Sequence, residues 1–400
     1  MARDQAESSW FWDWDAKLAQ KSQGHAEFQK KMKSFIDTEL LPNIADWEEA
    51  GDFPAELPQL AYKAGVFACG LPEEHGGYGP AMDAWHKFIY DDELGRVCAG
   101  GLWASLLTHG ISLPPILALG NEAQKKRYVK DIVTGQKRCS LAITEPNAGS
   151  DVAGMQTTAR REKDVFVVNG QKTFISGGMH ADYFTTGVRT GAAGLGGISL
   201  LMIHREMPGV QTTRLKTQGW GCSSTTSVAF NDVRVPVENL LGQENQGFLP
   251  IMLNFNNERM SMAVTACRMS RCCLEDAIRY ARVRKTFGKP LVSHQVIRHK
   301  LAEMARHVLA NHGFLCNVAQ AMEQDQASIG GQVALAKVQS TRTLEFCARE
   351  ASQVLGGRSY LRGAHGGGRI ERCYREVRVY AIGGGSEEIM LELAGRMAKL

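Results

Sequence analysis

The stretch Leu141-Ala-Ile-Thr-Glu-Pro-Asn-Ala-Gly-Ser-Asp-Val-Ala-Gly154 decides the fold, because around it the period of the chain changes. It leaves a strand, SLAIT, and enters a loop of small and hydroxyl-bearing residues. Such a loop can bring backbone N–H groups and the hydroxyls of Thr144 and Ser150 close to a phosphate or a ring oxygen; Asn, Gly and Ser in this order also make an ordinary turn. Further on, Val165-Phe166-Val167-Val168, then Asn169-Gly170, then Lys172-Thr173-Phe174-Ile175 predict a hairpin, since Asn-Gly supplies the positive φ angles of a type I′ turn. Strands are also predicted at YFTTGV, ISLLMI and TSVAFNDVRV. On the N-terminal side, EFQKKMKSFIDTELL, PAELPQLAYKAGVF, AMDAWHKFIYDDELGRV and NEAQKKRYVKDIV place apolar residues three and four apart, which is helical spacing. Pro42, Gly51, Gly76, Gly77, Gly79 and Pro114-Pro115 punctuate them. After Gly247 the helical period returns, over about 248–285, 293–322, 327–355 and 386–398.

Helices, a compact β insertion and helices again predict an α+β chain that is mostly α. The expected parts are an N-terminal extension (1–24), an N-terminal helical domain (25–137), a middle β-barrel-like domain (138–241) and a C-terminal four-helix bundle domain (242–400). A length of 400 residues suits two or three such units. The hydrophobic share of 44% and charged share of 22% are those of an ordinary globular chain, which argues against disorder. A net charge of +4 with no long basic run gives nucleic-acid binding no support.

Ten cysteines, including the adjacent Cys272 and Cys273, form no C-x-x-C pair and no metal-like cluster, so no metal is expected. They read as reduced structural thiols in an intracellular compartment. No run of about 18 apolar residues occurs, so no membrane span is expected. The start, MARDQAESSWFWDWD, lacks an apolar signal core. The chain is expected to be soluble, in cytoplasm or an organelle matrix; the closing Ala398-Lys399-Leu400 resembles a peroxisomal address with Ala for Ser.

Four ordered blocks carry a family resemblance. Leu141–Gly154 resembles the first signature of the acyl-CoA dehydrogenase family, A-x-T-E-x-x-A-G-S-D-x-x-G, at every defined position. Arg284-Lys-Thr-Phe-Gly288 with His294-Gln295 is similar to its R-K-x-F-G segment and H-Q pair. Gln353-Val-Leu-Gly-Gly357 is similar to the second signature, and Ile382-Gly-Gly-Gly-Ser-Glu-Glu-Ile389 to I-G-G-G-T-S-E-I, with Ser386 for Thr and Glu387 for Ser. The resemblance runs from about 25 to 398.

It implies an FAD enzyme that oxidises an acyl-CoA thioester to the trans-2-enoyl-CoA, a base taking the α-proton while the β-hydride passes to flavin N5. By the same resemblance Leu141, Ile143, Thr144, Gly149 and Ser150 line the flavin, with Thr144 near the pyrimidine ring and Ser150 near the pyrophosphate and the substrate. Phe174, where relatives commonly have Trp, and Ser176 flank the ring. Arg284, Thr286, Phe287, His294 and Gln295 hold the adenosine diphosphate half with Gln353, Gly356 and Gly357 of a neighbouring subunit, so a homotetramer or homodimer is implied. Ser386 and Glu388 contact the cofactor near the chain end.

Medium- and short-chain members carry the base in the C-terminal loop, where this sequence has Gly384. Long-chain and isovaleryl-type members place it on a helix before an Arg, and here Phe255-Asn-Asn-Glu258-Arg259 occupies that place. Glu258 is therefore the candidate base. Helical arithmetic agrees independently: Ile251, Phe255, Glu258 and Met262 fall at steps of four, three and four, an apolar face interrupted by one carboxylate. Apolar surroundings would raise its pKa into the range of a useful base, whereas an arbitrary helical Glu is usually solvated. Phe255, Asn256, Arg259, Gly384 and Gly385 are the other substrate-side residues the resemblance implies, with the Gly384 N–H as donor to the thioester oxygen. Three functions compete: a dehydrogenase passing electrons to an electron-transferring flavoprotein, an oxidase passing them to O₂, and a non-catalytic nucleic-acid-binding relative, which must explain away Glu258.

Overall fold

The computed structural model describes residues 22–67, 71, 73–78, 82–324, 329–363 and 366–400. Helix α1 (Gln23–Phe35) starts at Ser22, whose hydroxyl accepts from the His25 N–H, and continues as a π turn over Ile36–Leu40. The helix and its cap at Ser22 begin inside the stretch 1–24 expected as an extension; residues 1–21 of that stretch, with Cys69 and Gly79, lie outside the described residues. Next come α2 (Ile44–Ala50), α3 (Leu57–Lys63), α4 (Ala84–Gly95), α5 (Gly100–Leu106), α6 (His109–Ser112), α7 (Pro114–Leu119) and α8 (Glu122–Val133). A reciprocal pair of hydrogen bonds between Asn121 and Gln124, both 2.9 Å, closes the start of α8.

Strands β1 (Cys139–Ala142), β2 (Thr158–Glu162), β3 (Val165–Ile175), β4 (Tyr183–Arg189), β5 (Ile198–His204), β6 (Val210–Arg214), β7 (Thr226–Pro236) and β8 (Leu240–Leu241) form one sheet. Its order is β6-β7-β3-β2-β4-β5-β8, with β1 parallel to β4. β2 and β4 share only the pair Thr158↔Arg189. Phe166, Phe184, Leu201 and Phe230, from β3, β4, β5 and β7, are buried together in one core cluster of the sheet.

The expected type I′ hairpin at Asn169-Gly170 is not there. Those residues lie inside β3, a single strand of 11 residues, and the reversal is at Lys163-Asp164, with Lys163 at φ 52. At Asn169 the pairing of β3 with β7 slips, and its side-chain amide exchanges two 2.9 Å hydrogen bonds with the carboxylate and N–H of Asp232. Gly170 has a packing reason: a Cβ there would stand 2.5 Å from Thr157 Oγ1. Asn-Gly therefore serves a bulge and a close approach, two uses its local sequence does not separate from a turn.

Helix α9 (Phe248–Val283) runs for 36 residues. A minimal hairpin follows, β9 (Lys285–Thr286) and β10 (Lys289–Pro290), turning at Phe287 (φ 49) and Gly288 (φ 76). Then come α10 (Gln295–Gln324), α11 (Gly330–Leu355), α12 (Gly368–Ile382) and α13 (Glu387–Met397). α12 was not among the predicted helices. Its arginines break the apolar pattern, and their partners are tertiary: Arg372 donates to Cys98 O (2.6 Å) and Val97 O (3.0 Å), and Arg369 pairs with Asp276 at 2.6 Å. The bundle core continues into the N-terminal helices, where Phe88 and Ile89 join Met269, Met304 and Leu344. The adjacent Cys272 and Cys273 are both buried free thiols and are not joined to each other. Among the described residues no single helix is long and apolar enough to cross a membrane.

Candidate active site

A cavity of about 420 Å³ opens where α4, α5 and α9 meet the end of β3. Asn257, Glu258 and Ser261 of α9 line one wall, Asp91 and Trp103 another, and Ser176 closes toward the sheet. Glu258 is partly buried here, and burial raises its carboxyl to about 6, against the opposing pull of Arg259 and Lys337. The face predicted from spacing is real: Ile251 is buried in the core under the sheet, Phe255 packs against it, and Met262 is buried in the bundle core.

Arg259 is 8% exposed and does not act as a surface cation. Its Nε donates to Gly384 O at 2.9 Å, Nη1 to Asn256 Oδ1 at 3.0 Å, and the guanidinium lies 5.9 Å from the centre of the Phe255 ring. Lys337 of α11, which sequence reading passed over, is fully buried and donates to Gly385 O (2.6 Å) and Ala381 O (3.2 Å). Burial lowers its pKa to about 8, against Glu387. Two cations thus hold three carbonyls of the 381–385 loop. The Gly384 N–H makes no hydrogen bond among the described residues. Gly384 has φ 66, and a Cβ there would meet Met262 Sδ at 2.9 Å, so the left-handed turn and the close methionine both call for glycine.

The loop after β1 is anchored by a buried pair that spacing also concealed. Lys172 Nζ donates to Glu145 Oε1 (2.7 Å) and Ile143 O (2.8 Å), while Glu145 accepts from the N–H groups of Gln156 (2.6 Å) and Thr157 (2.9 Å). Burial pushes the Glu145 pKa up, but the Lys172 ammonium and these donors hold it below its ordinary value. Above this base Leu141 and Thr144 are partly buried, Ile143 is buried, and Gly149 and Ser150 are exposed. Phe174 has φ 58 and is 66% exposed, at a second slip of β3 against β7. A left-handed phenylalanine with its ring outward is strain that wants a partner. Leu141, Ile143, Thr144, Gly149, Ser150, Phe174 and Ser176 therefore sit on β1, β3 and the segments leaving them.

The remaining cofactor candidates lie on separate elements. Thr286 Oγ1 meets His294 Nε2 at 3.1 Å, and the Phe287 and His294 rings are 5.9 Å apart, with Arg284 and Gln295 exposed beside them in sequence. Gln353, Gly356 and Gly357 are exposed at the end of α11. Ser386 caps α13, and Glu388 is exposed in its first turn, its carboxyl held below the usual range by a backbone N–H and by Ser386. Elsewhere the fold assembles one group that sequence spacing missed: Asp83 accepts from His25 (2.9 Å) and His86 (2.8 Å), a set able to hold a metal ion.

Comparison with known proteins matches residues 22–136 to "Acyl-CoA dehydrogenase, N-terminal domain", 140–233 to the middle domain and 245–399 to the C-terminal domain of the same family. The Alternaria alternata protein named Acyl-CoA dehydrogenase AFT10-1 is 37% identical over 393 residues, covering 93% of this chain and 91% of that one. A probable acyl-CoA dehydrogenase of Mycobacterium abscessus superposes with a TM-score of 0.90 at 41% identity, over 94% of this chain and 99% of that one. A glutaryl-CoA dehydrogenase of Mycobacterium smegmatis, solved in complex with FADH2, gives 0.87 at 25% identity, over 96% of each. With the fold, the motif order and all three domains in agreement, this chain belongs to the acyl-CoA dehydrogenase family of FAD-binding oxidoreductases.

Proposed function

We propose that the protein dehydrogenates an acyl-CoA thioester between its α and β carbons, with Glu258 as the base. The observation that carries this reading is Glu258 itself, a cavity-facing carboxylate with a pKa raised to about 6 that shares its cavity with Ser176. Glu258 takes the α-proton. The Gly384 N–H donates to the thioester oxygen and steadies the charge that develops as the proton leaves. Arg259 and Lys337 hold the loop from its carbonyl side, so that the N–H is positioned before substrate arrives. Asn256 fixes the Arg259 guanidinium from the same helix.

The residues present fit FAD. Phe174 offers an exposed aromatic face, Gly149 has no neighbour nearer than 3.9 Å to a hypothetical Cβ, and Gly356 and Gly357 have none within 4 Å. Leu141 to Ser150, Phe174 and Ser176 would hold the flavin end, and Arg284, Thr286, Phe287, His294, Gln295, Gln353, Gly356, Gly357, Ser386 and Glu388 the adenosine end. Bound FAD supplies the acceptor for the two electrons of the β-hydride. The proposed next acceptor is an electron-transferring flavoprotein.

The test is anaerobic bleaching of the flavin by acyl-CoA, followed by reoxidation in air: a slow return supports the dehydrogenase, a fast one the oxidase. The bleaching rate should rise with pH through about 6 and flatten above it, since only ionised Glu258 accepts a proton. A flat profile between pH 5 and 7 on the order of one rate would argue against Glu258.

Exposed apolar residues at the adenosine end, Val283 (77%), Phe287 (95%) and Tyr360 (90%), call for cover. The proposed assembly is a homotetramer, with Gln353 to Gly357 completing a neighbour's cofactor site. A monomer by light scattering that retains a full complement of FAD would contradict it.

A further inference from the structure

The cavity that Glu258 faces is not lined as a slot for a plain hydrocarbon chain. One helical turn beyond Glu258, Ser261 faces the same space, and the carboxyl of Asp91 reaches it from α4. Asp91 is 5% exposed. Trp103 Nε1 donates to it at 3.5 Å, the long limit of a hydrogen bond, and the Ser261 hydroxyl lies near enough to favour its ionised form. Its sequence neighbour shows the contrast: Asp92 pairs with Arg268 at 3.1 Å and ties α4 to α9, while Asp91 makes no ion pair among the described residues. Burial raises the Asp91 carboxyl to about 7, against Ser261 and Trp103. Near neutral pH it is therefore a group that both donates and accepts. Leu107, Leu113 and Leu117 form much of the surrounding wall. An alkyl chain filling that space would cut Asp91 off from water and leave its hydrogen-bonding capacity partly unused, which is costly inside a protein.

We infer that the acyl group this enzyme accepts carries a hydroxyl on its distal part, hydrogen-bonded to Asp91 and Ser261. The inference rests on the dehydrogenase reading and narrows its substrate class. Three residues separate Glu258 from Ser261, about 4.5 Å along the helix, so the hydroxyl stands roughly three to four carbons beyond the α-carbon. A charged chain end fits less well. With Lys87, Asp91 and Glu258 all lining the cavity, either charge meets a like one as well as an opposite one: a carboxylate faces two carboxyls, and an ammonium faces Lys87 one turn earlier on α4.

The test compares hexanoyl-CoA, ω-hydroxyhexanoyl-CoA, adipoyl-CoA and ω-aminohexanoyl-CoA on the FAD-loaded enzyme by flavin bleaching. The hydroxylated chain should exceed hexanoyl-CoA in kcat/KM by about tenfold or more. The same order should appear in calorimetric affinities measured on Glu258→Gln, in which binding is separated from the slowed turnover. Asp91→Leu should bring the ratio to near one, and Asp91→Asn, which still donates and accepts, should keep most of it. Should the Leu variant fail to fold, Ser261→Ala, which removes the second partner, should lower the ratio severalfold. A wild-type preference for hexanoyl-CoA or for either charged chain overturns the inference and leaves the dehydrogenase reading standing. So does a ratio that survives the loss of Asp91 or Ser261. Bleaching by none of the four overturns the dehydrogenase reading, and the inference falls with it.

Discussion

Glu258→Gln is expected to yield a folded, yellow protein that still binds acyl-CoA but bleaches about 10² to 10⁴ times more slowly, the usual worth of a positioned base. Gln keeps the shape and hydrogen bonding of Glu while removing its basicity. Two other cavity residues are rivals for the role. Asp91, raised to about 7, sits beside Ser261, a helical turn away, so an α-carbon placed against Glu258 is not against Asp91. His109 is lowered to about 4 by burial, and its Nε2 donates to Phe67 O at 2.9 Å, so it is a weak base. If either were the acceptor, Glu258→Gln would bleach at the wild-type rate, and rapid mixing would show it.

Stability gives a second readout for the same variant. The Glu258 pKa rises from 4.5 to about 6 on folding, so between those values the folded chain holds its proton more tightly than the unfolded one. Stability from this group is complete below pH 4.5 and is lost as pH rises through about 6. By pH 7 the ionised carboxylate costs up to about 2 kcal/mol. Glu258→Gln should therefore raise Tm at neutral pH and change it little in acid. A variant that is both slow and less stable at pH 7, on the order of 1 kcal/mol or more, would point to damage and not to loss of a base.

The cavity-facing place of Glu258 on α9 was legible because helical spacing is local: four residues on one helix face, and an Arg next to it; its role as base is what we propose. The two buried lysines were not legible. Lys172 sits in what reads as half a hairpin, and its partners Glu145 and Ile143 lie 27 and 29 residues away. Lys337 reads as one charge on a long helix, while the carbonyls it holds are 44 and 48 residues away. Asp91 and Ser261 belong to different helices and meet only through the fold. α12 was missed for the same reason, since Arg369 and Arg372 look like solvated charge until Asp276 and the carbonyls of Val97 and Cys98 are in place. Local pattern carries element type and single-face chemistry; it does not carry which buried cation meets which carbonyl.

Lys337→Met is expected to have the second-largest effect on turnover. Met keeps the length and bulk of the side chain but offers no donor. The variant leaves Gly385 O and Ala381 O without their ammonium, at a cost of about 1–3 kcal/mol for each carbonyl that stays buried. The loop is then free to relax, and the Gly384 N–H loses its fixed place opposite the thioester oxygen. An oxyanion donor is worth about 10² to 10³ in kcat; with Arg259 still holding Gly384 O, a loss of roughly ten- to a hundredfold is expected, mostly in kcat. The pH profile separates this from general damage. Lys337 favours ionised Glu258, so its removal should move the rising limb above pH 6. The wild type should also slow as Lys337 loses its proton near pH 8, whereas Lys337→Met should lack that descending limb. A variant that keeps both limbs where the wild type has them would reduce Lys337 to packing, and the Gly384 N–H would need another source of order.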